Sequence, residues 1–199
     1  ADNLVNSSMD VLDGIEKISG IRPEFEEIDL TDGEVTRDFF ARHSDIRAVI
    51  HFAALKAVGE SVNKPLEYYF NNLNSLMNVL TCMREFKVPN LVFSSSCTVY
   101  GQADVLPVTE KTPRHEAESP YGNTKVMSED IIRDLMRVEP DMKALALRYF
   151  NPIGAHPTAF IGELPNGLPN NLIPYLTQTA IGIREQLSVF GDDYNTPDG

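Results

Sequence analysis

At 199 residues, with 42% hydrophobic and 23% charged residues, the chain has the make-up of a soluble globular protein and enough length for one ordinary domain with a sizeable core. Its 17 basic against 29 acidic residues give a formal net charge of −12, which excludes a nonspecific binder of phosphate backbones and requires any anionic ligand to be met by local groups. No apolar run approaches bilayer length and no basic-plus-apolar leader opens the chain; the two cysteines, Cys82 and Cys97, lack both Cys-x-x-Cys spacing and a secreted disulfide pattern. The expectation is therefore a cytoplasmic protein with reduced thiols, no metal site, no nucleic-acid partner and no membrane partner.

Taken in chain order, residues 33–43 carry the pattern of a short amphipathic helix, and 47–54 form a β-branched and apolar run that reads as a strand. A long helical pattern covers 65–86, a second strand-like run covers 90–95, and a further helix spans 119–138. Ser119 suits the N-cap of that helix and Pro120 its first position, where a missing N–H costs nothing, so Tyr121 belongs to the first turn. The third strand-like run is 144–150. All three runs show little alternation, as parallel strands covered on both faces require. Strands alternating with helices at this spacing imply βαβ units and a doubly wound parallel α/β sheet. Past Phe150 the texture turns to Asn, Pro and Gly over 151–171, followed by a helical pattern at 172–185 and a short strand at 187–190. The expected division is a first domain over 1–150 and the beginning of a second over 151–199.

Of the seven tyrosines, only Tyr121 has a lysine four positions on, Lys125, and residues i and i+4 share a helix face. Alone, that pair equally fits a surface tyrosine stacked on a lysine stem. Ser94-Ser95-Ser96-Cys97-Thr98-Val99-Tyr100-Gly101 follows the strand core ending at Phe93, and in open parallel sheets ligands bind outside the carboxyl ends of the strands. A plain turn would also account for the serines, but the tyrosine and lysine open the next helix and can reach the same cleft. A phenol with a pKa near 10 must lose roughly 3 units to act as a base near neutrality, about 4 kcal/mol. A cation about 4 Å away supplies roughly that much at an effective dielectric near 20. Lys125 can be that cation, a helix N-terminus and an oxidised nicotinamide would add to it, and Ser96 could share the hydrogen bond to a substrate hydroxyl.

This serine, tyrosine and lysine arrangement resembles the extended short-chain dehydrogenase/reductase superfamily, and the surrounding text is similar to the UDP-galactose (UDP-glucose) 4-epimerases nearly end to end. The specific segments are His51-Phe52-Ala53-Ala54-Leu55-Lys56-Ala57-Val58-Gly59-Glu60-Ser61, Phe93 to Gly101, Tyr121-Gly122-Asn123-Thr124-Lys125 and Leu147-Arg148-Tyr149-Phe150-Asn151-Pro152. Pro169-Asn170-Asn171-Leu172 and Val189-Phe190-Gly191 continue the likeness. The resemblance implies an NAD-dependent epimerase of UDP-sugars on a Rossmann-type sheet. In it Tyr121 takes the proton from the sugar 4-hydroxyl while hydride leaves carbon 4 for the nicotinamide, and hydride returns to the other face of the 4-keto sugar. Lys125 would hold the nicotinamide ribose and depress the tyrosine pKa, and Ser96 would bond the reacting oxygen.

The same likeness implies cofactor contacts from Asp2, Asn3, Asn6 and Ser7 at the adenosine end and from Asp29 with Leu30 beside the adenine. Phe52, Ala53, Ala54, Leu55 and Lys56 would continue them toward the nicotinamide, with Asn71, Ser96, Tyr121, Lys125 and Phe150. An acid on the ribose hydroxyls suits NAD better than NADP. For the nucleotide sugar the candidates are Val58, Gly59, Glu60, Ser96, Tyr121, Asn151, Asn170, Asn171, Leu172, Ser188, Val189 and Phe190. Phe52, Ala53 and Phe190 could equally be core residues, and Asn71 and Asn72 solvent-facing positions on a long helix. His51 reads as structural and Cys97 as packing. A homodimer through the 65–86 and 119–138 helices is implied as well.

The family's glycine-rich Gly-x-x-Gly-x-x-Gly turn is absent, and Asp2 to Ser7 resembles the end of the family's second strand and its loop. The chain opens on Ala1 and closes in a polar stretch at Gly199. It is therefore expected to be a fragment, lacking the first βαβ unit and the later substrate-binding part, and inactive by itself. A nucleotide-sugar 4,6-dehydratase would place an acid pair where Cys97-Thr98 stands, and a non-catalytic NAD sensor on the same fold would not need an intact Ser96, Tyr121 and Lys125.

Overall fold

Three strands, Ala48–His51 (β1), Asn90–Ser94 (β2) and Lys143–Leu147 (β3), form a parallel sheet in the order β1-β2-β3 in the computed structural model, which describes residues 1–163, 169, 171–189 and 191–193. Each crossover is helical. Val58–Asn63 (α3) and Pro65–Glu85 (α4) join β1 to β2, and Pro120–Val138 (α5) leads from β2 to β3. Asp10–Ser19 (α1), Gly33–Arg42 (α2) and Leu172–Ala180 (α6) complete the helices among the described residues. The α/β architecture with a parallel sheet is thus the one expected.

Local chemistry starts these helices. Asp32 caps α2 by accepting from the N–H groups of Glu34 and Val35, and Ser119 caps α5 by accepting from Gly122 N–H at 3.1 Å. Pro65 and Pro120 occupy first-turn positions that need no donor. Along α4, Leu76, Val79, Leu80 and Met83 recur at helical spacing and are all buried, meeting Phe40 of α2, Leu91 and Phe93 of β2 and Ile132 of α5 in one core.

Registration pairs Val49 with Leu91 and His51 with Phe93, so these four residues share the sheet face that the core covers. The opposite face is different. Ile50 opposite Val92 opposite Leu145 forms its middle row, and Ile50 and Leu145 are 65% and 56% exposed. Within this chain, expected from its sequence to be a fragment, the described residues of this unit cover one face only. Only β2 alternates between a deeply and a partly buried side, because among the described residues of this unit α2, α4 and α5 pack on the Leu91 and Phe93 face.

The strand-like runs also overreach. Phe52–Ala54 and Arg148–Phe150 leave the ladder and become loops at the carboxyl ends of β1 and β3. The last helix stops at Ala180, where Gly182 takes a left-handed φ of 79°, rather than reaching 185. Residues 187–189 are irregular rather than a strand, and Phe190 lies outside the described residues.

The chain divides into two compact units: Ala1–Asn3 with Glu24–Pro152, and Leu4–Pro23 with Ile153–Gly199. The first contains the sheet and its core. In it the chain start runs parallel to the 26–28 stretch, through Asp2 N–H to Glu26 C=O at 3.3 Å and Ile28 N–H to Asp2 C=O at 3.1 Å. In the second unit Gly14 of α1 lies against the Phe160 carbonyl so closely that a Cβ would stand 2.4 Å from its oxygen, and Lys17 lies over the Phe160 ring. No helix among the described residues is long and apolar enough to cross a membrane.

Candidate active site

The carboxyl ends of β1, β2 and β3 open into three segments: Phe52 to Ala57, Ser95 with Ser96 ahead of a 3-10 turn at Cys97–Tyr100, and Arg148 to Asn151. The start of α5 meets them. Tyr121 stands in its first turn, partly buried, with the Ser96 side chain close enough to lower the pKa of its phenol. Lys125, one turn on, is 4% exposed, donates from Nζ to the Ser94 carbonyl at 2.7 Å, and lies 5.0 Å and 5.7 Å from the ring centroids of Phe93 and Tyr121. The structure thus brings Ser96, Tyr121 and Lys125 together on one side of the sheet.

Burial pushes the Tyr121 phenol above its ordinary value, and the Ser96 side chain pulls it back; Cys97 adds to the rise. Lys125 spends its ammonium on the Ser94 carbonyl, and burial lowers its own pKa to about 8. Burial thus acts on both groups, while the Lys125 ammonium stays 5.7 Å from the centre of the phenol ring. His51, 4% exposed and stacked on Phe93, is pushed to about 4 by burial and the Lys125 charge, so it is neutral and structural.

Around this centre the loop after β1 is held from behind. Asn72 Oδ1 accepts from Leu55 N–H at 2.8 Å, while its Nδ2 donates to the Leu55 carbonyl at 3.0 Å and to Thr124 Oγ1 at 3.1 Å. Asn72 is buried, not solvent-facing, and it joins this loop to the helix of Tyr121. Asn71 donates to Asn72 Oδ1. The loop itself is open on its outer side, with Phe52 60% exposed and stacked on Tyr149, Ala53 and Lys56 exposed, and Ala54 and Leu55 half-buried. Phe150 is exposed and stacks on Tyr100. Phe52 is thus no core residue.

Val58, Gly59 and Glu60 begin α3, a helix absent from the sequence reading. Glu60 accepts from Tyr68 Oη at 2.8 Å and from Lys64 at 2.9 Å, and Tyr68 Oη also receives the Ala57 N–H. Asn151 is exposed just after Phe150. At the other edge of this unit, Asp29 accepts from the Thr31 N–H and hydroxyl, both at 2.8 Å, and from Asn3, which holds its carboxyl below the ordinary value. Asp2 is beside it through the parallel bridge, and Leu30 is half-buried.

The remaining candidates belong to the second unit. Asn6 and Ser7 precede α1; Asn171 donates to Glu163 at 2.6 Å at the start of α6; Leu172 is that helix's first residue; Ser188 and Val189 are exposed coil. Asn170 and Phe190 lie outside the described residues. No group of three or more His, Cys, Asp and Glu side chains able to hold a metal is found among the described residues.

The chemistry of the donor set fits a dinucleotide. An ionised acid stands at one edge of the unit, an outward-facing loop with two alanines crosses the strand ends, and a buried ammonium lies beside the phenol.

Residues 3–196 match the model of the NAD dependent epimerase/dehydratase family. A UDP-glucose 4-epimerase from Bacillus subtilis is 52% identical over 198 residues, covering 100% of this chain and 58% of that protein. One from Dictyostelium discoideum is 50% identical over 198 residues and 57% of its own length. The crystal structure of UDP-glucose 4-epimerase from Bifidobacterium longum in complex with NAD+ and UDP superposes with a TM-score of 0.95 at 46% identity, covering 99% of this chain and 58% of that one. The chain therefore spans just under three-fifths of the length of these relatives. With almost all of its residues inside the family match, and the parallel sheet and the Ser96, Tyr121 and Lys125 cluster in place, the chain belongs to the NAD dependent epimerase/dehydratase family.

Proposed function

We propose that the polypeptide carrying this chain is an NAD-dependent UDP-glucose 4-epimerase that interconverts UDP-galactose and UDP-glucose. The observation that carries the reading is the Ser96 side chain and the Lys125 ammonium gathered at the Tyr121 phenol, in a chain about half identical to its relatives over its whole length. When bound, NAD supplies a reversible hydride acceptor and a positive charge close to the phenol. Tyr121 Oη takes the proton of the sugar 4-hydroxyl as the carbon–hydrogen bond at carbon 4 breaks, and returns it when that bond re-forms on the other face. Ser96 holds the reacting oxygen and keeps the phenol's pKa from rising further. Lys125, anchored on Ser94, fixes the strand end against α5 and presents its charge to the ribose and the phenol. The full set of cofactor and sugar contacts is that named from the resemblance.

The division we assign is residues 1–150 to the cofactor and 151–199 to the nucleotide sugar, with the change of unit after Pro152 in its favour and the grouping of 4–23 with the later unit against it. Exposed Leu66, Phe70 and Met77 line one face of α4 and Met127 is exposed on α5, which supports a homodimer through these helices. Two free thiols, Cys82 and Cys97, suit the cytoplasm.

The test is conversion of UDP-galactose to UDP-glucose by the NAD-loaded polypeptide, beside its Tyr121→Phe variant. The variant is expected to lose roughly a hundredfold to ten-thousandfold in kcat. The 199 residues alone are expected to be inactive. A well-folded, NAD-loaded parent without turnover refutes the enzyme and favours a sensor; 4,6-dehydration without epimerisation favours a dehydratase.

A further inference from the structure

Residues 121, 125 and 129 are spaced four apart on α5 and share one face. The first two are the tyrosine and lysine of the site, and the third, Glu129, has no part in the chemistry above. Its side chain is 8% exposed. Ser95 Oγ donates to Oε1 at 2.6 Å, Arg148 donates from Nε to Oε1 at 2.9 Å and from Nη2 to Oε2 at 2.8 Å, and Arg114 Nη1 stands 3.5 Å from Oε2. Burial pushes the carboxyl up, but these hydrogen bonds and the charges of Arg148 and Arg114 outweigh it, so Glu129 is ionised.

Both principal partners lie on segments that edge the site. Ser95 sits between Ser94, whose carbonyl holds Lys125, and Ser96, whose side chain acts on the Tyr121 phenol. Arg148 directly follows β3; the next residue's carbonyl accepts Cys97 N–H at 2.8 Å, and the guanidinium lies 4.8 Å over the Tyr100 ring that stacks on Phe150. Stability alone gives such a cluster little reason to be ionic, because apolar residues of similar volume commonly serve as well in place of a buried pair.

We propose that Glu129 is a positioning residue, which fixes the 94–96 turn and the 148–150 segment in register with Tyr121 and Lys125. Its effect on turnover rests on the epimerase reading; its geometric effect does not. The groups facing Tyr121 are Lys125 on its own helix, Ser96, Cys97 on the 3-10 turn and Tyr68 on α4. Those facing Glu129 are Ser95, Arg114 and Arg148, with Asp130 and Arg133 beyond Arg114.

Glu129→Gln keeps the size of the side chain and an acceptor for Ser95 but releases the Arg148 fork, whereas Ser95→Ala removes one hydrogen bond and leaves the ion pair. The readout is the fluorine NMR titration of 3,5-difluorotyrosine installed at position 121, a phenol acidic enough to titrate where the fold is intact, and it needs neither cofactor nor substrate. A slackened turn moves the Ser96 side chain away from the phenol that it makes more acidic, so the midpoint is expected to rise by about one unit in both variants, roughly tenfold less phenolate at a given pH. Loss of the Glu129 charge acting only through space would lower it, so the sign separates the two causes. Arg137→Ala, whose exposed partner is Asp134, is expected to leave the midpoint alone. In the NAD-loaded polypeptide both variants are expected to lose about tenfold in kcat, with KM for the UDP-sugar kept within about twofold. An unmoved midpoint in Ser95→Ala, or a lowered one in Glu129→Gln, overturns the proposal whatever happens to the melting temperature. A raised midpoint in a parent that does not epimerise sinks the epimerase reading and leaves the positioning role standing.

Discussion

Lys125→Met is the substitution whose consequence can be worked furthest from the geometry. The ammonium has a hydrogen bond to Ser94 and two aromatic rings near it, yet burial brings its pKa to about 8 from 10.5. In the unfolded chain the group keeps its ordinary value. Between about pH 8 and 10.5 the unfolded state therefore binds more protons than the folded one, and stability rises with pH across that window. Below it, the cost of the buried charge is present in full and constant. The complete difference is on the order of 3 kcal/mol, of which about 2 kcal/mol is recovered between about pH 7.5 and 9.5.

Methionine keeps most of the stem and cannot titrate. Its pH-independent losses, the Ser94 hydrogen bond and some packing, cancel when the wild-type-minus-variant difference is followed against pH rather than read at one value. Two neighbours of the ammonium lie outside the window: burial pushes His51 down to about 4 and holds Tyr121 above its ordinary value of 10. Urea unfolding at several pH values, without added cofactor, should show wild type gaining on the variant by about 2 kcal/mol between about pH 7.5 and 9.5. Parallel curves would refute the reasoning, because they would mean that hydrogen bonding and the rings fully compensate burial. A reversed slope would mean that they exceed it.

Asn72→Ala should cost about 1–3 kcal/mol in unfolding free energy, because it strands the Leu55 N–H and C=O groups without their side-chain partner, and hydrogen exchange at the Leu55 amide should speed up. Gly101 takes a φ of 53°, and a Cβ there would lie 2.7 Å from the Glu116 carbonyl oxygen, so Gly101→Ala should cost about 1–3 kcal/mol from conformation alone and more from the clash. A loss confined to the conformational contribution of about 1–3 kcal/mol would show that the 115–116 backbone yields freely, and an unchanged thermal midpoint would refute both contributions.

Helices with an apolar periodicity were legible: α2, α4 and α5 lie within one residue of the expected 33–43, 65–86 and 119–138, the last with its Ser119 cap and Pro120 in the first turn. What escaped has identifiable causes. The six-residue α3 is too short to advertise a period and is stabilised by contacts remote in sequence, through Tyr68. By contrast α1 did carry signals, acids at Asp10 and Asp13 and a left-handed Gly20 after its last turn. Strand ends were overdrawn because Phe52 and Phe150 have strand-like side chains on backbone that has already left the sheet.

In the site, residue types were legible and the balance of forces was not. A tyrosine and a lysine four apart reveal a shared helix face, but they say nothing of what else competes for the ammonium. Here the competitor is the Ser94 carbonyl, a backbone group with no signature of its own, and it holds the charge 5.7 Å from the centre of the phenol ring while burial acts on both. The group opposing burial at Tyr121 is then the Ser96 hydroxyl. Its aim depends on a turn that is pinned from behind by Ser95 on Glu129. The geometry of a serine turn thus acts on the proton at Tyr121 beside the neighbouring charge, and substitutions that touch no reacting atom become informative.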